Sequence, residues 1–339
     1  MRKEVLAVGC ALMVFCGCGQ HYESGWAAMG KKDYTTAVNE FQQVIDQNSR
    51  LAESYRAEGI AYYSEKAYPE AIAAFSRSLN NMDDPDKEFK KDVQFYLAQA
   101  RMDYGEVDKA IEVYSEILKA GEDEQAFFLR GKAYISMEDY KNAEKDFQRA
   151  LEGCEDYNLY INIYQIYVDH NKAVDGDAYL KMALELEPQD GEDCYHRGRI
   201  YEYEKNYEAA RDELKTAMEQ GYEDAMLLLG RVYLEMEDPA SARSMYQEYL
   251  QKSEQGAKAY NGLAMCDIYD GAYDSALENI AQGLKENSKE DEQGLLYNEI
   301  VAYEYKRDFA TAKEKMKIYL EQYPEDEAAL RENEFLSTR

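Results

Sequence analysis

Residues 124–157 read EQAFFLRGKAYISMEDYKNAEKDFQRALEGCEDY, and most of the chain repeats the outline of this stretch. Its small residue Ala143 is preceded by Gly131 and followed by Phe147. Equivalent small residues recur at intervals of 34, 39, 33, 33, 34, 32, 34 and 36 residues: Ala37, Ala71, Ala110, Ala143, Gly176, Ala210, Ala242, Ala276 and Ala312. A period near 34 residues is typical of a solenoid of stacked helix pairs.

The neighbours of the small residue recur as well. Four positions later comes a large apolar side chain: Phe41, Phe75, Tyr114, Phe147, Leu180, Leu214, Tyr246, Ile280 and Met316. Twelve positions earlier comes another small residue in seven units: Gly25, Gly59, Ala98, Gly131, Gly198, Gly230 and Ala264. Small residues allow two antiparallel helices to approach closely, while the large side chain fills the space beside them. We therefore predict a pair of packed helices in each unit.

This spacing resembles the tetratricopeptide repeat. The units run 18–51, 52–85, 91–124, 124–157, 157–190, 191–224, 223–256, 257–290 and 293–326. The resemblance implies an all-α fold, a right-handed superhelical solenoid of about nine helix pairs with a C-terminal capping helix. We predict a signal peptide over 1–17, the solenoid over 18–326, and the capping helix and tail over 327–339. The family has a leucine before the small residue of the first helix, and only some units supply it: Leu97, Leu229 and Leu263 match, whereas Arg130 and Arg197 do not.

Two local features complete the predicted architecture. An Asp or Asn three or four residues before the repeating alanine can cap the second helix of its pair by accepting from free backbone N–H groups. These predicted N-caps are Asp33, Asp139, Asn206, Asp238 and Asp308. The 39-residue interval contains five extra residues, and we predict a solvated loop over Asn80–Lys90.

The first residues differ from the repeats. Arg2 and Lys3 precede an apolar run of eleven residues, VLAVGCALMVF, which is too short for a permanent membrane span. Gly17 before Cys18 resembles the lipobox of bacterial lipoproteins, which implies lipid attachment at Cys18. The predicted location is the bacterial cell envelope, on the outer side of the cytoplasmic membrane or on an outer membrane. A secreted protein and a retained N-terminal anchor are the alternatives.

Composition restricts the classes of partner and chemistry. The chain has 68 acidic and 39 basic residues, a net charge of −29, which argues against nucleic acid as a partner and favours basic over acidic partners. It contains no recognisable catalytic, nucleotide-binding or metal-binding motif. We therefore predict a protein that is not an enzyme, with no cofactor, no metal and no evident small-molecule substrate.

The resemblance also indicates where partners bind. In this family the first helices line the concave face, and the fifth and ninth positions of each unit commonly point into it. The predicted peptide-binding residues at these positions are Phe95, Phe128, Lys132, Tyr195, Arg199, Leu227 and Arg231. Lys132, Arg199 and Arg231 each lie one helical turn from an apolar or aromatic residue, an arrangement suited to an extended peptide that carries a carboxylate. The alternative is that these bases pair with neighbouring acidic residues.

Three functional hypotheses follow. The favoured one is a membrane-tethered extracytoplasmic scaffold or adaptor that binds protein or peptide partners. The second is a subunit of an envelope assembly or secretion machine. The third is a glycan-binding lipoprotein, but repeat proteins of that class carry large insertions, and the longest excess in this chain is five residues.

Overall fold

The structure is a computed structural model that describes residues 19–82, 86–253 and 256–339. Within these residues all regular secondary structure is α-helical, and nineteen helices follow one another. The first helices of the pairs are α1 (19–30), α3 (Leu51–Ser64), α5 (Lys87–Tyr104), α7 (Glu124–Ser136), α9 (Tyr157–Asp169), α11 (Gly191–Tyr203), α13 (Ala225–Glu235), α15 (Ala257–Tyr269) and α17 (Lys289–Tyr305). The second helices are α2 (Tyr34–Asp46), α4 (Tyr68–Asn80), α6 (Val107–Ala120), α8 (Tyr140–Ala150), α10 (Ala173–Leu184), α12 (Tyr207–Glu219), α14 (Pro239–Lys252), α16 (Tyr273–Lys285) and α18 (Phe309–Gln322). A final helix, α19 (Glu327–Ser337), follows.

This arrangement confirms the predicted all-α solenoid of helix pairs with a C-terminal helix. The predicted signal peptide over 1–17 and the predicted anchor Cys18 lie outside the described residues.

The described residues divide into two compact units. The first contains the chain up to Glu155 together with Asn162–Gly176, and the second contains Asp156–Ile161 with Asp177–Arg339. In the first unit each helix from α2 to α8 packs against the next. In the second unit the helices from α11 to α19 do the same, and the first helices of neighbouring pairs also contact each other: α11 with α13, α13 with α15, and α15 with α17.

The packing inside a pair follows from the repeating glycine and aromatic residues. Ala143 is fully buried where α7 and α8 meet, and the Phe147 ring lies against the backbone of Gly131. A β-carbon on Gly131 would lie 2.7 Å from Cε1 of Phe147. The same contact recurs between Gly25 and Phe41, Gly59 and Phe75, Gly198 and Leu214, and Gly230 and Tyr246. These positions require glycine because the facing ring, or the Leu214 side chain at Gly198, occupies the volume that a β-carbon would need.

The turn inside each pair has one repeated conformation. The predicted N-caps are confirmed: Asp33, Asp139, Asn206, Asp238 and Asp308 each accept from the backbone N–H three residues later. In each of the nine pairs within the described residues, the residue before the cap position has positive φ. The cap-position N–H then donates to the carbonyl five residues back, as Asp139 does to Tyr134 at 2.9 Å. This is a Schellman-type ending of the first helix, and it fixes how the second helix departs.

The predicted loop over Asn80–Lys90 is wrong at its C-terminal end. Helix α5 begins at Lys87, and the side chain of Asp86 caps it by accepting from the N–H of Glu88. Part of the five-residue excess therefore extends the first helix of the third pair to 18 residues. Residues 83–85 of the predicted loop lie outside the described residues.

Candidate functional site

Four first helices of the second unit line an open groove. It has a volume of about 800 Å³, and its walls come chiefly from α13, α15 and α17, with Tyr195 added by α11. Five of its residues occupy the fifth or ninth position of their repeats: Tyr195, Leu227, Arg231, Asn261 and Met265. Because these helices contact one another in order, side chains 32 or 34 residues apart in sequence come onto one surface. Three of the predicted peptide-binding residues, Tyr195, Leu227 and Arg231, line this groove.

Tyrosine rings form much of the apolar wall. Tyr246 belongs to a second helix, α14, but it reaches the groove because Gly230 has no side chain in its way. Tyr195 packs against Tyr222 with ring centroids 4.9 Å apart. Burial raises the pKa of both Tyr195 and Tyr246 above the ordinary value. Both hydroxyls are therefore neutral at physiological pH.

An amide pair crosses the groove wall between α15 and α17. Nδ2 of Asn298 donates to Oδ1 of Asn261 at 2.8 Å. Within the described residues, Nδ2 of Asn261 makes no hydrogen bond, so it retains its capacity to donate. A side-chain amide on a groove wall is suited to bind a backbone carbonyl.

Both basic side chains in the groove bond to acidic neighbours. Arg231 on α13 donates to Glu202 on α11 at 2.6 Å. Lys258 on α15 donates to Glu290 on α17 at 3.0 Å, and its Nζ lies 4.0 Å from Asp291. The hydrogen bond to Glu290 raises the pKa of Lys258. These pairs tie neighbouring first helices together.

Arg199 has a different environment. Its Nη1 lies 3.2 Å from Nδ1 of His196 and donates to Oδ1 of Asn158 at 3.4 Å, and its guanidinium lies 5.9 Å from the Tyr195 ring centroid. Among the described residues, Arg199 contacts no carboxylate. Burial lowers the pKa of His196, and the charge of Arg199 lowers it further. His196 is therefore neutral at physiological pH and accepts from Arg199, a role the sequence hypothesis missed although His196 lies three residues away on the same helix.

The remaining predicted residues belong to the first unit. Phe95 on α5 is half-buried, with its ring centroid 6.3 Å from that of Tyr114. Phe128 on α7 is half-buried and lies 6.1 Å from the Phe147 ring. Lys132 is exposed, and no acidic side chain in the described ranges pairs with it. Each aromatic residue therefore contributes to the packing of its own helix pair.

Two properties of the described residues bear on other kinds of site. In the part of the chain that the structure covers, no group of three His, Cys, Asp or Glu side chains is placed to hold a metal ion. Among the helices described, none has both the length and the apolar character needed to cross a bilayer.

Family models match the repeats directly. One tetratricopeptide repeat model matches residues 22–86, 195–257 and 227–292, and a second matches residues 124–156. These segments together cover more than half of the chain. The chain belongs to the tetratricopeptide repeat family. Its repeats are protein-interaction repeats, and proteins of this fold are generally scaffolds without catalytic activity.

Solved structures of other tetratricopeptide repeat proteins are similar to this chain. Yeast Tom70 is 14% identical with a TM-score of 0.50, over 90% of this chain and 84% of that one. A tetratricopeptide repeat protein from Parabacteroides merdae is 16% identical with a TM-score of 0.45, over 84% and 99%. YrrB, described as having an unusual peptide-binding site, is 26% identical with a TM-score of 0.36, over 56% and 97%. No curated protein matches the sequence significantly. The likeness to Tom70 concerns the fold alone.

Proposed function

We propose that this chain is a lipid-anchored scaffold of the bacterial cell envelope that holds an extended peptide segment of a protein partner in the groove. The observation that carries the proposal is the groove itself. It is open, about 800 Å³ in volume, and lined by consecutive first helices with aromatic, amide and charged side chains. Membership of a protein-interaction family makes a protein partner the first expectation.

The dimensions of the groove suit an extended chain. Packed helices lie roughly 8–10 Å apart, and an extended peptide advances at most about 3.3–3.6 Å per residue. Four first helices therefore span on the order of eight residues of peptide. Leu227 and Met265 offer apolar contacts, and the amide of Asn261 is suited to donate to a backbone carbonyl between them. Most of these side chains belong to packed helices, so little ordering is required on binding.

The envelope location rests on the N-terminal sequence. The basic start, the short apolar run and Gly17-Cys18 support export and lipid attachment. Several acyl chains on one cysteine would hold the protein durably on a membrane. The first described helix includes residue 19, so an anchor at Cys18 would place the first helix pair close to the bilayer.

A steric block of the groove tests the proposal. Met265 is 39% exposed in the groove, and Met265→Trp would fill space that the peptide needs. The control is Ala281→Trp, at an exposed position of α16 that does not line the groove. After crosslinking on intact cells, we expect affinity capture to recover a partner with the wild-type and Ala281→Trp chains, and far less of it with Met265→Trp. Equal recovery with both variants would contradict binding in the groove.

A further inference from the structure

We infer that the segment held in the groove is cationic: a stretch of a protein partner that carries lysine or arginine. This inference rests on the proposed function and adds the chemistry of the partner. It differs from the sequence hypothesis of a carboxylate-bearing peptide. Three observations support it: the groove's own bases are already paired, two of its acidic side chains are not, and the ring of Tyr195 is partly exposed in it.

The groove's basic side chains already bond to acidic groups of the protein. Arg231 is held by Glu202, and Lys258 is held by Glu290 with Asp291 nearby. A peptide carboxylate would have to displace or share these pairs. Since each pair also joins two first helices, such displacement would weaken the groove wall.

Acidic side chains exceed basic ones along the described lining. Asp224, Glu286, Glu290 and Asp291 line the groove together with only two bases, Arg231 and Lys258. Within the described residues neither Asp224 nor Glu286 has an ion-pair partner. The groove therefore has net negative charge after its internal pairs are counted, and a cationic side chain complements it.

The Asp224 carboxylate is available to a bound cation because it does not cap its helix. It stands at the N-cap position of α13, yet its side chain makes no capping hydrogen bond. It accepts instead from the hydroxyl of Tyr249 at 3.4 Å. The Asp224 carboxylate is exposed at the groove wall and retains further acceptor capacity.

A tyrosine ring provides a second kind of contact for a cation. Tyr195 is partly exposed in the groove in which Asp224 lies, whereas Tyr246 and Tyr249, which also line the groove, are buried. Lysine and arginine are attracted to the faces of aromatic rings, and a nearby carboxylate adds a direct ionic contact. The stems of these side chains also pack on apolar surface such as Leu227.

Binding of three synthetic peptides tests the inference. The probes are fluorescein-labelled peptides of about nine residues in which alanine alternates with lysine, glutamate or glutamine. Titrations at an ionic strength of about 0.15 M limit long-range attraction to the acidic protein, because the screening length there is about 8 Å. We expect the lysine peptide to bind most tightly.

Two double variants, one inside the groove and one outside it, show where the lysine peptide binds. Asp224→Asn with Glu286→Gln removes two groove carboxylates, and Glu278→Gln with Glu314→Gln removes two exposed carboxylates of α16 and α18. The groove variant should bind the lysine peptide at least about tenfold more weakly, as expected for loss of charge-assisted contacts. The control should bind it nearly as tightly as the wild type. An equal loss in both variants would show non-specific attraction and overturn the inference.

One substitution should change the affinities for cationic and anionic peptides in opposite directions. Arg231→Gln removes a groove base and releases Glu202, whereas Lys252→Gln removes an exposed base of α14 outside the groove lining. We expect Arg231→Gln, but not Lys252→Gln, to tighten binding of the lysine peptide by a few-fold.

Two results would overturn the inference with different consequences. Preferential binding of the glutamate peptide, weakened by Arg231→Gln, would make the partner anionic and leave the groove proposal intact. Failure of all three peptides to bind, combined with partner capture that Met265→Trp does not affect, would reject the groove as the binding site.

Discussion

Arg130 on α7 and Asp146 on α8 form two parallel hydrogen bonds of 2.7 Å each, and the Asp146 side chain is only 6% exposed. Arg130 stands where the repeat family has leucine. Arg197 makes the equivalent contact with Glu213, again sixteen residues later, at 2.8 Å. An ion pair between the two helices of a unit, buried at Asp146 and partly buried at Glu213, therefore stands in place of the leucine contact in both cases.

Breaking the Arg130–Asp146 ion pair should destabilise the protein, whereas replacing both residues with apolar ones should be close to neutral. Arg130→Leu leaves the Asp146 carboxylate buried without its counter-ion, which costs about 3–5 kcal/mol. Arg130→Leu with Asp146→Ala removes both charges, so the double variant should recover most of that loss. Urea denaturation followed by circular dichroism measures both. A double variant as unstable as the single one would show that the pair is not the cause.

Gly131 should not tolerate a methyl group. In an exposed helix, glycine to alanine stabilises by up to about 1 kcal/mol. At Gly131 the new β-carbon would lie 2.7 Å from the buried Phe147 ring, so we expect Gly131→Ala to destabilise the protein by about 1–3 kcal/mol. Gly30→Ala is the control, because a β-carbon there has no neighbour within 4 Å. Thermal melts that shift equally for both variants would argue against this contact.

The stability of the last helix pair should depend on pH through Glu304. Burial raises the pKa of this carboxyl to about 7, and the neighbouring Glu332 of α19 adds to the effect. Because the pKa is higher in the folded state than the value of 4.5 otherwise expected, the contribution of Glu304 to stability is greatest below about pH 4.5 and is lost as the pH rises through about 7.

Removal of the titrating group tests this dependence. Glu304→Gln should reduce the loss of melting temperature between pH 5 and pH 8, and it should slow hydrogen exchange in α19 at pH 8. Glu334→Gln, which removes an exposed carboxyl of α19, should leave both unchanged. An identical pH profile for wild type and Glu304→Gln would rule out the proposed role of Glu304.

Lipid attachment should require Cys18. It is the only cysteine at the end of the apolar run that directly follows a small residue. We expect Cys18→Ser to abolish incorporation of an alkyne fatty acid and release the protein from the membrane fraction, while Cys16→Ser retains the label. Label on the Cys18→Ser chain, or none on the wild type, would contradict the predicted anchor.

The helical repeat could be predicted because each element depends on residues close in sequence. The small residue, the ring four positions later and the capping carboxylate all act within one unit. The left-handed conformation of the residue before each cap position was harder to predict from the sequence. Within the described turns, only Gly105 and Gly271 are glycine at that position. Elsewhere residues such as Glu138 adopt positive φ because packing of the two helices dictates the turn.

The groove could be predicted only as a set of positions. Repeat register places Tyr195, Leu227 and Arg231 on one surface, but it does not give the partners of their side chains. Arg231 and Glu202 lie 29 residues apart, in neighbouring units. Their hydrogen bond depends on side-chain conformations and on the rotation between adjacent helices, which no residue spacing specifies. The charge that the groove offers to a partner could therefore be determined only from the structure.

The most direct measurement of partner binding is photo-crosslinking from the groove in intact cells. A photoreactive phenylalanine analogue at Leu227 reports on the groove, and the same analogue at Ala281 reports on an exposed face outside it. We expect Leu227 to yield an adduct with one continuous segment of a partner protein, and mass spectrometry to identify that segment as rich in lysine or arginine. Adducts from Ala281 with none from Leu227 would contradict binding in the groove.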